Sequence, residues 1–188
     1  MNHIHRSVWN HRAATWVATA DTRFLHAGPW ALKALAASLW LACATSAFAL
    51  PQGAEVTAGS ASVTATPGKV TIVQNSASTA LNWQSFSIGA GETVLFVQPG
   101  ANAVALNRVI GPDPSTLLGN LSSNGQVFLV NPNGILFGQG ASVNVGGLVA
   151  STLNITDSDF MAGRYTFSGS STQAVRNQGT LNAPGGYI

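Results

Sequence analysis

The sequence predicts an all-β fold, and within that class a β-helix. After residue 50, short runs rich in Val, Ile, Leu and Thr alternate with Asn, Gly and Ser, which favour strands and turns respectively. Charged residues make up only 7% of the chain, against roughly 25% in an ordinary domain. No amphipathic helix is predicted after residue 50. The composition therefore excludes a coiled coil, a basic nucleic-acid-binding protein and a charge-rich disordered tail.

The charge is distributed unevenly between two kinds of polypeptide. Residues 1–49 hold four basic residues and one acidic residue, a net charge of +3, whereas residues 50–188 hold four basic and five acidic residues, a net charge of −1. All four His and the one Cys also lie before residue 50. The basic character of the chain therefore belongs to its N-terminal segment, and residues 50–188 contain neither Cys nor His.

The N-terminal segment has the pattern of an export signal. A short apolar run from Ala34 to Ala44 follows Lys33 and precedes Ala47-Phe48-Ala49. A basic residue, a short apolar run and a small-x-small site define a secretory signal peptide, and the run is shorter than the roughly 20 residues that span a bilayer. We therefore expect residues 23–49 to be a Sec-type signal peptide that brings the chain to the Sec translocon and is cleaved between Ala49 and Leu50.

Two alternatives apply to this segment. It could remain uncleaved as an anchor helix, which the Ala-x-Ala site disfavours. It could also be lipidated at Cys43, which is disfavoured because Trp40 occupies the position where a lipobox normally has Leu.

The segment 1–22 exceeds what a signal peptide needs. It resembles the extended signal peptide region of large exported proteins of Gram-negative bacteria, and residues 1–22 are assigned to that region. The matching residues are Met1-Asn2, Ile4, Arg6, Val8-Trp9-Asn10 and Trp16-Val17-Ala18. A basic, aromatic segment of this kind can stay at an anionic membrane surface. Metal binding by His3, His5 and His11 is the less favoured alternative.

The strand-prone runs after residue 50 suit a solenoid. They occupy residues 70–73, 93–97, 104–110, 126–130, 135–137, 143–145 and 148–151. Solenoid coils repeat at about 20 to 30 residues and bury an apolar face against the next coil. Two weak internal sequence similarities, of residues 130–134 with 175–179 and of residues 146–148 with 185–187, indicate such a repeat. Because the open end of a solenoid exposes strand edges, residues 50–65 are expected to form an N-terminal β cap.

A family resemblance covers residues 50–188. The matching residues are Leu50-Pro51, Asn82 to Gly89, Ala105-Leu106-Asn107-Arg108-Val109, Leu118-Gly119, Ser123 to Ile135 and Gly147 to Leu153. This segment resembles the secretion domain of two-partner secretion exoproteins of the filamentous-haemagglutinin and high-molecular-weight-adhesin type. Where the haemagglutinin type carries Asn-Pro-Asn-Leu, this chain has Gln98-Pro99-Gly100-Ala101-Asn102, which fits the adhesin-like branch better.

The resemblance implies a right-handed parallel β-helix with an N-terminal cap and a role in transport. It implies recognition by a partner outer-membrane transporter with periplasmic domains and a final location in the medium or on the surface of a Gram-negative bacterium. The recognition motif would be Asn131, Pro132, Asn133, Gly134 and Ile135, with Asn107 and Arg108 second. Adhesion, haemolysis or toxicity, and any binding of host-cell or surface glycans, would belong to coils expected beyond residue 188.

Two other functions compete with this one. A β-helix polysaccharide lyase or hydrolase needs clustered carboxylates, but only Asp157 and Asp159 are close in sequence, and such a pair is commonly a turn. A lectin-like sandwich could use Trp83, Phe86, Tyr165 and Tyr187, which are more simply core residues.

We therefore expect no catalytic residue, no cofactor, no metal and no nucleic-acid partner. Arg108 is expected to point outward and to pair with Glu92.

Overall fold

The computed structural model describes residues 5–10, 15–20 and 49–188. The chain divides into two units, residues 1–46 and 47–188. In the first, β1 (His5–Asn10) pairs antiparallel with β2 (Thr15–Ala20), with Val8 opposite Val17. Most of the predicted signal peptide, including Ala47, lies outside the described residues, so its boundaries and its cleavage remain predictions. No helix in the described ranges is long and apolar enough to cross a membrane.

The second unit is a parallel β-helix with three faces, as the sequence predicts. Its strands form sheets of six, five and three strands, and from the seventh strand (Thr93–Val97) onward the chain visits the three sheets in turn. The strands are β3 (Glu55–Ala58), β4 (Ala61–Thr66), β5 (Lys69–Gln74), β6 (Ser78–Trp83), β7 (Thr93–Val97), β8 (Val104–Val109), β9 (Ser115–Leu117), β10 (Asn120–Ser123), β11 (Gln126–Val130), β12 (Ile135–Phe137), β13 (Ser142–Asn144), β14 (Gly147–Ser151), β15 (Val175–Asn177) and β16 (Thr180–Asn182).

The strand register gives the length of each coil. On the six-stranded face, Thr93 lies beside Asn120 and Asn120 beside Ser142, so each of these pairs marks one full coil. On the three-stranded face, Ser115 lies beside Ile135 in the same way. These steps confirm the predicted repeat of about 20 to 30 residues. The sequence similarity of residues 130–134 with 175–179 predicts that Val130 lies beside Val175. This register is wrong, because Ile135 lies beside Val175.

The N-terminal cap consists of antiparallel strands. β3 runs antiparallel to β6 at the end of the five-stranded face, and β4 forms a hairpin with β5 at the end of the six-stranded face. All the other pairings between named strands in residues 49–188 are parallel. The cap therefore covers the first coil with reversed strands, in the region where the sequence predicts it.

The interior of the β-helix is a continuous apolar core. Trp83, Phe86, Phe96 and Phe137 are among its largest side chains, all essentially inaccessible to solvent. Trp83 and Phe86 meet edge to face, with ring centroids 5.4 Å apart. The prediction that these two aromatic residues belong to the core is correct, whereas Tyr165 and Tyr187 are exposed.

A second apolar cluster lies on the outer side of the five-stranded face. Between β14 and β15 the chain leaves the coil for residues 152–174, which we call the excursion, so the step from Ser142 to Thr180 on the six-stranded face is longer than the earlier ones. The excursion contains α1 (Asp157–Met161), a short helix that the sequence did not predict. Phe160 and Phe167 of the excursion pack against Phe128 of β11.

Candidate functional site

The residues of the predicted motif form a corner between two faces of the β-helix. Asn131 is fully buried. Its Nδ2 donates to the carbonyl oxygen of Asp113 and to Ser115 Oγ, both at 3.0 Å, and its Oδ1 accepts from the Asn133 amide at 2.9 Å. Asn131 therefore holds its own turn closed and ties it to the preceding coil.

The rest of the motif divides between an outward and an inward side. Gly134 has φ of +108°, a conformation that side chains disfavour, and its amide donates to the Asn131 carbonyl oxygen at 3.1 Å. Ile135 enters the core. Pro132 is exposed, and the half-buried Asn133 donates through Nδ2 to the Gly111 carbonyl oxygen at 2.9 Å. Only Pro132 and Asn133 of the motif therefore offer side chains toward solvent.

Asn107 has an internal role. It is fully buried, and its Oδ1 accepts from Trp83 Nε1 at 3.0 Å while its Nδ2 donates to the Phe128 carbonyl oxygen at 3.3 Å. A buried indole N–H needs such an acceptor. In the folded domain, the Asn107 side chain is engaged in the core and does not line an outer surface.

Arg108 pairs with Asp157, and the expected pair with Glu92 was wrong. The guanidinium donates to Asp157 Oδ1 at 2.7 Å, to the Ile155 carbonyl oxygen at 2.5 Å and to the Oδ1 atoms of Asn154 and Asn82 at 2.8 and 3.0 Å. Glu92 instead accepts from the Gly89 amide at 2.7 Å. Arg108 does point away from the core, but its side chain is only 13% exposed because the excursion lies over it.

The electrostatics of Asp157 reflect this contact. Burial alone would raise the pKa of Asp157, but hydrogen bonds from Thr57 and Arg108, together with the positive charge of Arg108, outweigh burial and hold the pKa below its ordinary value. Thr57 belongs to the cap strand β3, so the carboxylate lies near the cap and pairs with Arg108 of β8. This shift is explained by an ion pair that joins elements and does not indicate catalysis.

An open groove brings Arg108 together with two residues of the predicted motif, Pro132 and Asn133. It has a volume of about 540 Å³ and is lined by Arg108, Val109, Ile110, Gly111, Pro112, Pro132, Asn133 and Asn154. Ile110 is 50% exposed, so the groove offers an apolar side chain next to the Asn133 amide. Ile110, Gly111 and Pro112 were not predicted as site residues, although the Gly-Pro step after an apolar strand is a turn signal that points to this corner.

The acidic residues do not form a metal-binding cluster in the described ranges. No group of three or more His, Cys, Asp or Glu residues is close enough there to hold a metal ion. Asp157 and Asp159 each pair with an arginine, Arg108 and Arg164, at 2.7 Å. What this part of the chain offers is a groove and exposed strand edges.

Comparison with known proteins decides the family. A family model described as the TPS (two-partner secretion) secretion domain matches residues 47–188. This chain belongs to the TPS secretion domain family. Two proteins of Haemophilus influenzae named heme/hemopexin-binding protein are 47% identical over 106 residues and 44% identical over 103 residues, which is 56% and 55% of this chain. The resemblance that the sequence suggested is confirmed.

A solved structure supports the same assignment. The crystal structure of the HMW1 secretion domain from Haemophilus influenzae matches 70% of this chain with a TM-score of 0.65 and 37% identity. This chain spans 36% of that chain, and only 12% and 11% of the two heme/hemopexin-binding proteins. The β-helix fold and the role as a TPS secretion domain are therefore established, and the polysaccharide-binding or polysaccharide-degrading alternative is not favoured.

Proposed function

We propose that residues 50–188 direct the export of an exoprotein by binding the periplasmic domains of a partner outer-membrane transporter. The match of the TPS secretion domain to residues 47–188 carries this proposal. In this scheme the signal peptide at residues 23–49 delivers the chain through the Sec translocon to the periplasm, and residues 1–22 tune that step. The exported protein then reaches the medium or the surface of a Gram-negative cell, with no catalytic step in this domain.

The groove is the surface that we assign to recognition. Pro132 and Asn133 come from the turn, Ile110 and Pro112 come from the preceding coil, and all four line the same groove. An apolar side chain beside an amide suits a protein partner, since binding surfaces combine apolar anchors with polar groups that set orientation. Arg108 supports this groove by fixing the excursion beside it.

A free strand edge offers a second contact. Within residues 49–188, β4 is the last strand of the six-stranded face and has β5 as its one neighbour. Its side chains are half-buried or exposed and are mainly Ala, Ser and Thr, without charge. An uncovered edge of this kind can accept a strand from another protein by β-augmentation, so we assign β4 to strand addition with the transporter.

A secretion assay with a matched pair of variants tests the groove. Asn133→Ala removes one hydrogen bond to the Gly111 carbonyl oxygen in the groove, and Asn124→Ala removes two hydrogen bonds to the Gln98 backbone outside it. With the cognate transporter co-expressed, Asn133→Ala should reduce the protein in the medium or on the surface at least about tenfold, as expected if the change costs about 1.4 kcal/mol of binding.

The control separates recognition from stability. Asn124→Ala should be exported close to wild-type level even though its unfolding midpoint falls by at least as much as that of Asn133→Ala, because it loses two hydrogen bonds. Normal export of Asn133→Ala would overturn the assignment, and so would an equal loss of export in both variants.

Hydrogen exchange tests the strand edge. Binding of the transporter's periplasmic domains should slow the exchange of backbone amides in β4, because new strand pairing protects them. Protection that is confined to the loops, with β4 unchanged, would contradict β-augmentation.

A further inference from the structure

We infer that Asn124-Gly125 and Asn133-Gly134 are sites of spontaneous deamidation. Both sites react in the unfolded chain and are protected from the reaction once the coils have stacked. They are the two Asn-Gly steps in the sequence. Glycine after asparagine leaves the backbone nitrogen unshielded, because glycine has no Cβ and moves freely. Each asparagine also bonds, through its side chain, the coil that precedes it. This inference does not depend on the proposed transport role.

The chemistry needs only water. The backbone nitrogen of the glycine loses its proton to solvent and attacks the asparagine Cγ. A new C–N bond forms, the Cγ–Nδ2 bond breaks and ammonia leaves with a solvent proton. The resulting five-membered imide then adds water at either carbonyl group and opens to Asp or to isoAsp. Overall, one amide and one water become one carboxylic acid and one ammonia, with no change of oxidation state.

The folded structure blocks this attack at Asn133. Asn133 Nδ2 is held at 2.9 Å by the carbonyl oxygen of Gly111, a residue of the preceding coil. The Gly134 amide donates to the Asn131 carbonyl oxygen at 3.1 Å, and Gly134 is buried. Both reacting groups are therefore engaged in separate contacts, and solvent base has little access to the glycine nitrogen.

Asn124 is protected from deamidation in a similar way, at the preceding corner of the β-helix between β10 and β11. Its Oδ1 accepts from the Gln98 amide at 2.7 Å and its Nδ2 donates to the Gln98 carbonyl oxygen at 2.8 Å. The Gly125 amide donates to Ser123 Oγ at 3.1 Å, and Gly125 is buried. Because Gln98 belongs to the preceding coil, the contacts of the Asn124 side chain exist only after the coils have stacked.

Deamidation would damage the contacts that normally prevent it. At Asn133 the donor Nδ2 would be replaced by a carboxylate oxygen facing the Gly111 carbonyl oxygen, so an attraction would become a repulsion. At Asn124 the donor to Gln98 would be lost in the same way. An isoAsp product would in addition lengthen the backbone at a tight corner. A chain that stays unstacked for long would therefore lose the ability to stack.

Peptide mapping of the full chain by mass spectrometry tests the inference. One sample is incubated folded at neutral pH, and the other is incubated in guanidinium chloride at the same pH and temperature. Asn124 and Asn133 should convert at least about tenfold faster in the denatured sample, since opening the folded sites costs more than about 1.4 kcal/mol. Asn144, which precedes Val145, is the internal control and should convert slowly in both samples, because the branched side chain shields the nitrogen.

Two further measurements complete the test. Gly134→Ala should slow conversion of Asn133 in the denatured chain and leave Asn124 unchanged, whatever its effect on folding. Asn133→Asp should lower the folding equilibrium constant at least about tenfold relative to wild type. Equal conversion rates in the folded and denatured samples, or conversion of Asn144 as fast as Asn133 in denaturant, would overturn the inference.

Discussion

At the scale of single residues, the buried asparagines mainly connect neighbouring coils through side-chain hydrogen bonds. Asn131 bonds Ser115 and the Asp113 carbonyl oxygen of the preceding coil, and Asn107 satisfies the indole of Trp83. Buried polar groups of this kind are costly if they lose a partner. The functional motif therefore combines two roles: Asn131 maintains the corner, while Asn133 and Pro132 line the groove.

Removing the Asn131 side chain should destabilise the domain more than removing an exposed asparagine. Asn131→Ala should lower the free energy of unfolding by about 1–3 kcal/mol, because Ser115 Oγ and a buried carbonyl oxygen lose their donor. Asn144→Ala, at an exposed position of β13, should change it by less than about 0.5 kcal/mol. Denaturant unfolding of residues 50–188 can follow Trp83, the one Trp in that segment. Similar midpoints for the two variants would contradict this role of Asn131.

At the scale of elements, the excursion packs across the outer side of the five-stranded face and stabilises it. Phe160 covers Phe128 of β11, and Asp157 pairs with Arg108 of β8 and lies near Thr57 of β3. These contacts link the excursion, which follows the last strand of that face, with the cap that begins it. The excursion therefore connects coils that share no direct strand pairing.

The contribution of the Asp157–Arg108 ion pair to the free energy of unfolding should depend on pH in a defined direction. Because the folded-state pKa of Asp157 lies below its ordinary value, its contribution is complete above the unfolded pKa of about 3.9 and is lost as the pH falls through the folded pKa. At neutral pH, Asp157→Asn should lower the free energy of unfolding by about 1 kcal/mol, a value reduced for partial exposure. In urea unfolding across pH, the deficit should shrink below about pH 4; a constant deficit would exclude the ion pair as its source.

At the scale of the whole molecule, the β-helix depends on close approach between coils at glycine corners. A Cβ on Gly111 would lie 2.0 Å from the Gln84 carbonyl oxygen, and a Cβ on Gly119 would lie 2.3 Å from that of Gly89. Both obstacles are backbone atoms, which can move only if the coil moves. The low charge of the chain suits this stacking, because like charges directly above one another repel.

A pair of glycine substitutions tests the importance of coil spacing. Gly111→Ala should lower the free energy of unfolding by about 1–3 kcal/mol, since the added methyl group overpacks the corner. Gly100→Ala meets no atom within 4 Å and has no positive φ, so it should be neutral or should stabilise by up to about 1 kcal/mol. Thermal unfolding distinguishes the two, and equal stability would show that the corner adjusts without cost.

Much of the fold was predictable because it repeats. Short strands, turn residues and coil lengths all follow from a local pattern that each coil restates, and the cap follows from the need to cover an open end. The excursion was missed because its helix is very short and its aromatic contacts lie outside the repeat. The partner of Arg108 was also missed, since Asp157 is distant in sequence and no local pattern links the two residues.

The sequence by itself determined the class of the fold, the absence of Cys and His after residue 50 and the family. These properties depend on composition and on motifs that are contiguous in the chain. Only the tertiary structure decided which motif residues face outward, because that depends on how one coil sits on another. Stacking buries Asn107 and Asn131, brings Asn133 to Gly111 and turns a run of five motif residues into a groove with two of them at its surface.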